Sequence, residues 1–153
     1  MFKKKLEDLM KKQITKYIDQ ENITPEQHHG GRPEFSTVTA KAILDNVASK
    51  GVENKNIVLT VTTDLSAAYD IIDHEILLDK LSNVGFEDNA LLLMRSFLDN
   101  RKMFVEIQGF ESTATTIGPY SVIQGTKNSG ILFTIYNLEV VYLTRLMHDS
   151  NKI

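Results

Sequence analysis

The chain of 153 residues contains no cysteine, only three prolines, and no apolar run near the ~20 residues that would span a bilayer. Without cysteine there are no disulfides, no thiolate zinc ligands and no thiol nucleophile, which suits a reducing compartment. The basic start Met1-Phe2-Lys3-Lys4-Lys5 does not read as a signal peptide, because Glu7, Asp8, Lys11 and Lys12 interrupt any apolar stretch behind it. A soluble, intracellular protein with no membrane partner is expected, nucleus and cytoplasm not being distinguishable. Several enzyme signatures are also missing: no Gly-x-x-x-x-Gly-Lys loop, nucleophile elbow or His-Glu-x-x-His occurs. The adjacent His28 and His29 cannot share a helix face as metal ligands spaced i, i+4 would, so they read as loop residues.

A hydrophobic fraction of 42% and a charged fraction of 24% argue against wholesale disorder and for one domain with a sizeable core. Neither charge sign dominates. The net charge of −3 is awkward for a nucleic-acid binder, whose affinity rests on neutralising phosphates. It is unevenly spread, however: residues 1–16 carry +4, leaving −7 for the remainder. The plainer reading of that start is a solvated helix face; the other is a basic arm near a nucleic-acid template.

Apolar Phe2, Leu6, Leu9, Met10, Ile14, Tyr17 and Ile18 recur at helical spacing and predict an amphipathic helix over 2–20. A polar loop with two Pro and two Gly follows to Phe35. Ser36 is then a plausible N-cap for a helix over Thr37–Ser49, ended by Gly51. Asn56 to Asp64 is the strongest strand prediction, since Val, Ile and Thr are stiff at χ1 and fit a pleated surface. Further helices are predicted near His74–Val84, broken by Gly85, and at Asp88–Leu98. Met103–Gln108 and Ser112–Ile117 predict a hairpin turning at Gly109-Phe110-Glu111. The chain becomes strongly apolar after Gly130, with a helix starting near Asn128 or Ser129.

The stretch Val61-Thr62-Thr63-Asp64-Leu65-Ser66-Ala67-Ala68-Tyr69-Asp70 carries the most chemistry. A β-branched run stops at a carboxylate, and an Asp at a strand end can hold a divalent cation while the backbone beyond it receives phosphates. By itself Asp64 would read more simply as a helix cap, and Asp70 as a surface or capping residue. The continuation Ile71-Ile72-Asp73-His74-Glu75-Ile76-Leu77-Leu78 resembles the first catalytic-aspartate motif of reverse transcriptases, in the form found in non-LTR (LINE-like) retrotransposons. Other segments resemble that family in the same order. They are Lys16–Gln27, His29-Gly30-Gly31-Arg32-Pro33-Glu34-Phe35-Ser36-Thr37, Leu98-Asp99-Asn100-Arg101-Lys102, and Val122-Ile123-Gln124-Gly125-Thr126 running on to Tyr136.

The resemblance implies a partial fingers-palm fold of α/β (α+β) class, with helices packed on a small antiparallel sheet. The whole chain, 1–153, would be a single partial domain, with fingers-like helices and loop over 1–55 and a partial palm over 56–153. It implies that Asp64 is the catalytic, metal-binding carboxylate, for Mg²⁺ or Mn²⁺. Arg32, Leu65, Ser66, Tyr69, Gln124 and Gly125 would be the nucleotide-binding residues. Arg32 would pair with the triphosphate, Leu65 and Ser66 would lie beneath it, and Tyr69 would block a ribose 2′-OH. Gln124 and Gly125 would pack under the templating base and nucleotide. The implied partners are an RNA template and DNA primer.

The sequence also departs from the family pattern. Ala67 stands where a Lys is usual, Gly31 and Phe35 where Phe and Arg are, and Ile123 and Gly130 where Pro is. The Ala-Asp-Asp box that supplies the other carboxylates is missing, and no Asp-Asp pair occurs in the chain. Asp149, in Arg145-Leu146-Met147-His148-Asp149, is a candidate remnant and second metal ligand. The expectation is a truncated, degenerate polymerase fragment, inactive alone and in want of a missing C-terminal half or an intact polymerase. The alternative is a non-catalytic RNA-binding or protein-interaction module.

Overall fold

The computed structural model describes residues 2–26, 28–32, 34–140 and 142. The chain forms two compact units, one of Met1–Ser66 with Asn137–Ile153 and one of Ala67–Tyr136.

The first unit begins with α1 (Phe2–Gln20), as the periodicity predicts. Its buried positions Glu7, Met10, Ile14 and Ile18 follow the i, i+3, i+4 rule, whereas Leu6 and Leu9 stay exposed. A short turn with Asn22 at φ +51° closes the helix, and Tyr142 Oη donates to Ile23 O at 2.8 Å. The second helix, α2 (Thr37–Glu53), starts at Ser36 in a reciprocal capping box: Ser36 Oγ accepts from Thr39 N, and Thr39 Oγ1 accepts from Ser36 N.

The end of α2 departs from expectation. The helix continues through Gly51 to Glu53 and closes in a Schellman turn, Asn56 N–H bonding Gly51 O and Lys55 N–H bonding Val52 O. Lys55, not a glycine, takes the left-handed position at φ +60°. Gly51 has a different use: a Cβ there would overlap Val58 Cγ2, so its bare backbone lets the returning chain pass.

The strand predicted over Asn56–Asp64 is not formed. This segment lies outside any helix or strand, and no described strand lies beside it; a strand exists only when a neighbour completes its hydrogen-bond ladder. Its β-propensity is genuine and unmet.

The second unit holds α3 (His74–Asn83), α4 (Asp88–Leu98) and α5 (Ser129–Tyr136), with α4 and α5 both packed on α3. Leu77, Leu78 and Leu81 of α3, Met94 and Leu98 of α4, and Ile131, Leu132 and Ile135 of α5 are buried, along with Ile72, Phe86 and Val122. Asp73 caps α3 by accepting from Ile76 N at 3.0 Å. Gly85, at φ +96°, ends that helix in a Schellman turn, with Phe86 N–H on Leu81 O. Lys80 Nζ donates to Tyr136 O at 2.5 Å, satisfying a carbonyl at the end of α5.

Between α4 and α5 lie four two-residue strands: β1 (Lys102–Met103), β2 (Glu106–Ile107), β3 (Phe110–Glu111) and β4 (Thr115–Thr116). β2 pairs antiparallel with β3, and β1 with β4. The hairpin turns at Gln108-Gly109, both at positive φ, rather than at Gly109–Glu111. That is the two-residue turn whose twist matches the strands, and it leaves Phe110 and Glu111 in the ladder. The register slips by one residue between the two pairs, so Phe104 faces Thr113 and Ala114 across a bulge. Together these elements give the expected mixed α/β class with a small antiparallel sheet.

Candidate functional site

The residues singled out by the motifs divide between the units: Arg32, Asp64, Leu65 and Ser66 in the first, Tyr69, Gln124 and Gly125 in the second.

In the first unit, Arg32 is held at two points. Its Nη1 donates to Pro25 O at 3.2 Å, and its guanidinium carbon lies 4.5 Å from the centre of the Phe35 ring. Phe35 meets His29 edge-on at 4.9 Å, and His29 Nδ1 lies 2.8 Å from Thr39 Oγ1. A chain of contacts thus runs from Arg32 through Phe35 and His29 to the capping box of α2. Phe35, a departure from the family pattern, supplies the face on which the arginine stacks. Burial holds the neighbouring His28 below the ordinary histidine pKa. That burial outweighs the hydrogen bond with the Gly30 backbone, which raises the value, and the charges of Arg32 and His29 lower it further.

Asp64 lies on the segment after α2, outside any helix or strand. It is exposed, and its carboxylate has no hydrogen-bond or ion-pair partner among the described residues. Leu65 and Ser66 beside it are exposed as well.

In the second unit the chain from Tyr69 to His74 zips onto Pro119–Val122. Val122 N–H donates to Tyr69 O at 2.9 Å, Ser121 N–H to Ile72 O at 2.8 Å, and His74 N–H to Pro119 O at 3.0 Å. The ring of Tyr69 is tilted 42° against Phe133 of α5, with 5.2 Å between centroids. This short ladder leads into the turn Ile123–Thr126, closed by Thr126 N–H on Ile123 O. Gly125 takes its third position at φ +88°, a conformation that calls for glycine. Gln124 is exposed on the turn beside it. The structure therefore links Tyr69 to the Gln124 turn through backbone bonds.

His74, quoted within the motif but given no role from sequence, secures that ladder. It is buried, and its Nε2 lies 2.8 Å from Ser121 O, so this nitrogen carries the proton and donates. Nδ1 is then buried with no partner among the described residues. The signal was its position directly after the helix cap Asp73. Phe133 was likewise legible only as one residue of an apolar run.

A divalent cation needs several oxygen donors, and a two-cation centre needs carboxylates gathered around both. Asp64 offers one, and among the described residues no group of three or more His, Asp or Glu is arranged to hold a metal ion. These residues do not by themselves fit a two-cation centre. Asp149 lies outside the described residues.

The family model for reverse transcriptase (RNA-dependent DNA polymerase) matches residues 1–151 of the chain. No curated protein and no solved structure matches it. The chain belongs to the reverse transcriptase family, whose members copy an RNA template from a DNA primer with the help of divalent cations.

Proposed function

We propose that the chain is a degenerate reverse transcriptase segment of non-LTR type. It would keep the nucleotide-contacting parts of the polymerase and, on its own, carry out no polymerisation. The observation that carries this reading is the lone carboxylate. Asp64 stands at the motif position, yet the sequence has no Asp-Asp pair to share a cation with it. In the family chemistry, one cation activates the primer's 3′ oxygen and the other holds the triphosphate.

The residues assigned to nucleotide contact have features suited to those roles. Arg32 keeps guanidinium nitrogens beyond the one on Pro25, and its planar fork suits a phosphate. Tyr69 is braced by Phe133, as an aromatic that excludes a ribose hydroxyl needs to be. Gly125 gives the Gln124 turn a bare backbone, with nothing within 4 Å of where a Cβ would sit.

Primer extension on an RNA template with Mg²⁺ or Mn²⁺ tests the reading. The expected result is no template-dependent product. Synthesis abolished by Asp64→Ala would overturn it.

A second reading, a non-catalytic interaction module, draws on α2. None of its residues is buried, and Val38, Ile43, Leu44 and Val47 are exposed. Salt-dependent RNA binding by the lysines of residues 1–16 would favour the RNA-binding form of that module.

A further inference from the structure

The loop between α1 and α2 gathers three basic side chains, those of His28, His29 and Arg32. The Pro25 carbonyl fastens it, accepting from His28 N–H at 3.0 Å and from Arg32 Nη1 at 3.2 Å. Phe35 carries the Arg32 guanidinium and meets His29 edge-on. Among the described residues, neither Arg32 nor His29 has an acidic partner: Glu26 and Glu34 of the same loop are exposed and bonded to neither. On the α2 side the first turn holds no acid, and Lys41 and Asp45 pair with each other.

The tautomer of His29 is fixed by its neighbour. Thr39 Oγ1 has a single proton and gives it to Ser36 O at 2.8 Å. Towards Ser36 N–H and His29 Nδ1, each also 2.8 Å away, that oxygen therefore accepts. So Nδ1 carries the proton of the neutral His29 ring, and Nε2 keeps a lone pair. Among the described residues Nε2 has no partner, and it is not sealed from solvent. To meet an oxyanion with Nε2, the ring must take up a second proton.

We propose that His29 is a second phosphate ligand beside Arg32, and that it takes up a proton from solvent as the phosphate binds. Arg32 is a permanent cation whose planar fork grips one phosphate, while the imidazolium Nε2–H donates to another. Two cationic groups braced on one ring suit a ligand with several charged oxygens, hence a polyphosphate. Naming a nucleotide's triphosphate as that ligand rests on the proposed function; the part played by His29 rests on the loop geometry. His28 is not a third ligand. Its ring lies against Gly30, and burial together with its two basic neighbours favours its neutral form.

Inorganic tripolyphosphate, with neither base nor sugar, is the probe. Calorimetric titration of the full chain in two buffers of different ionisation enthalpy should show more proton uptake than the same titration of His29→Gln. The ligand's own protonation is common to both. Relative to that variant, wild-type affinity should gain about fivefold from pH 8 to pH 6, the span across which an ordinary imidazole titrates. Arg32→Gln should weaken binding at both pH values.

Nitrogen-15 spectra of the imidazoles read the step at the atom and need no variant. At a pH where the free ring is neutral, His29 should show one protonated and one bare nitrogen, and saturating tripolyphosphate should leave both protonated. His74, which donates to Ser121 O in the second unit, should not change. No binding, equal proton uptake in wild type and His29→Gln, an unchanged His29 ring, or an equal change with single-stranded RNA at the same phosphate concentration would each overturn the proposal. Failure of the proposed function shows elsewhere, as synthesis in primer extension, so the two are separable.

Discussion

The Cβ that Gly51 lacks would occupy the space taken by Val58 Cγ2. A glycine inside a helix ordinarily costs about 1 kcal/mol relative to alanine, so replacing it usually stabilises. Here the sign reverses. Val58 is β-branched and stiff at χ1, so clearing the overlap costs it a less favoured rotamer or a shift of its backbone. Gly51→Ala should therefore destabilise the chain by about 1–3 kcal/mol, the usual cost of overpacking. Gly51→Ala combined with Val58→Ala should recover most of the loss. Denaturant unfolding of the three variants decides it, and a stabilised single variant would show that the two residues do not press together.

Two Schellman turns, alike in their bonds, differ in the residue at the left-handed position: Gly85 after α3, Lys55 after α2. A side chain there meets its own carbonyl, at a cost of roughly 1 kcal/mol. Lys55→Gly should raise stability by about that amount, and Gly85→Ala should lower it similarly. Thermal melts of both would reveal it.

Acid should loosen the loop before α2. His28 is held below the ordinary histidine pKa chiefly by burial, so the folded chain favours the neutral ring. The unfolded chain then binds more protons as pH drops, and stability present above about 6.5 is lost as pH falls towards the lowered value. His28→Gln should flatten that part of the stability–pH curve. If the wild-type curve is already flat there, the burial does not bear on titration.

His74 donates to Ser121 O inside the second unit. His74→Leu removes the donor and leaves a carbonyl without its partner, at about 1–3 kcal/mol. Hydrogen exchange at the amides of Ser121 and Val122, which bond Ile72 O and Tyr69 O, should speed up with it. Unchanged exchange at those two amides would remove His74 from its role in the ladder.

What was legible in the sequence was local. Ser36 could be recognised as a cap because capping involves the next three residues. The helices over 2–20, 74–83 and 88–98 followed from apolar spacing within each segment. The run at 56–64 has strand composition, but a strand is decided by its neighbours, and no residue within the run reports whether one is present. The sequence predicts the hairpin but sets its turn one step late, because Gln108 is an unusual residue for positive φ and Gly109 is the evident turn residue. At the site, the motifs named Tyr69 and Gln124 separately. Only the ladder between residues 69–74 and 119–122 relates them, and no spacing in a single sequence encodes that pairing.

The proposed loss of polymerisation rests on Asp64 standing without partner carboxylates among the described residues. Paramagnetic broadening of backbone amide signals by Mn²⁺, with and without a deoxynucleoside triphosphate, tests it most directly. With Asp64 as a lone carboxylate, broadening near it should be weak, should not saturate in the millimolar range typical of weak sites (about 1 mM or above), and should respond little to nucleotide. Saturable broadening around Asp64 at far lower Mn²⁺, lost in Asp64→Ala, would contradict it.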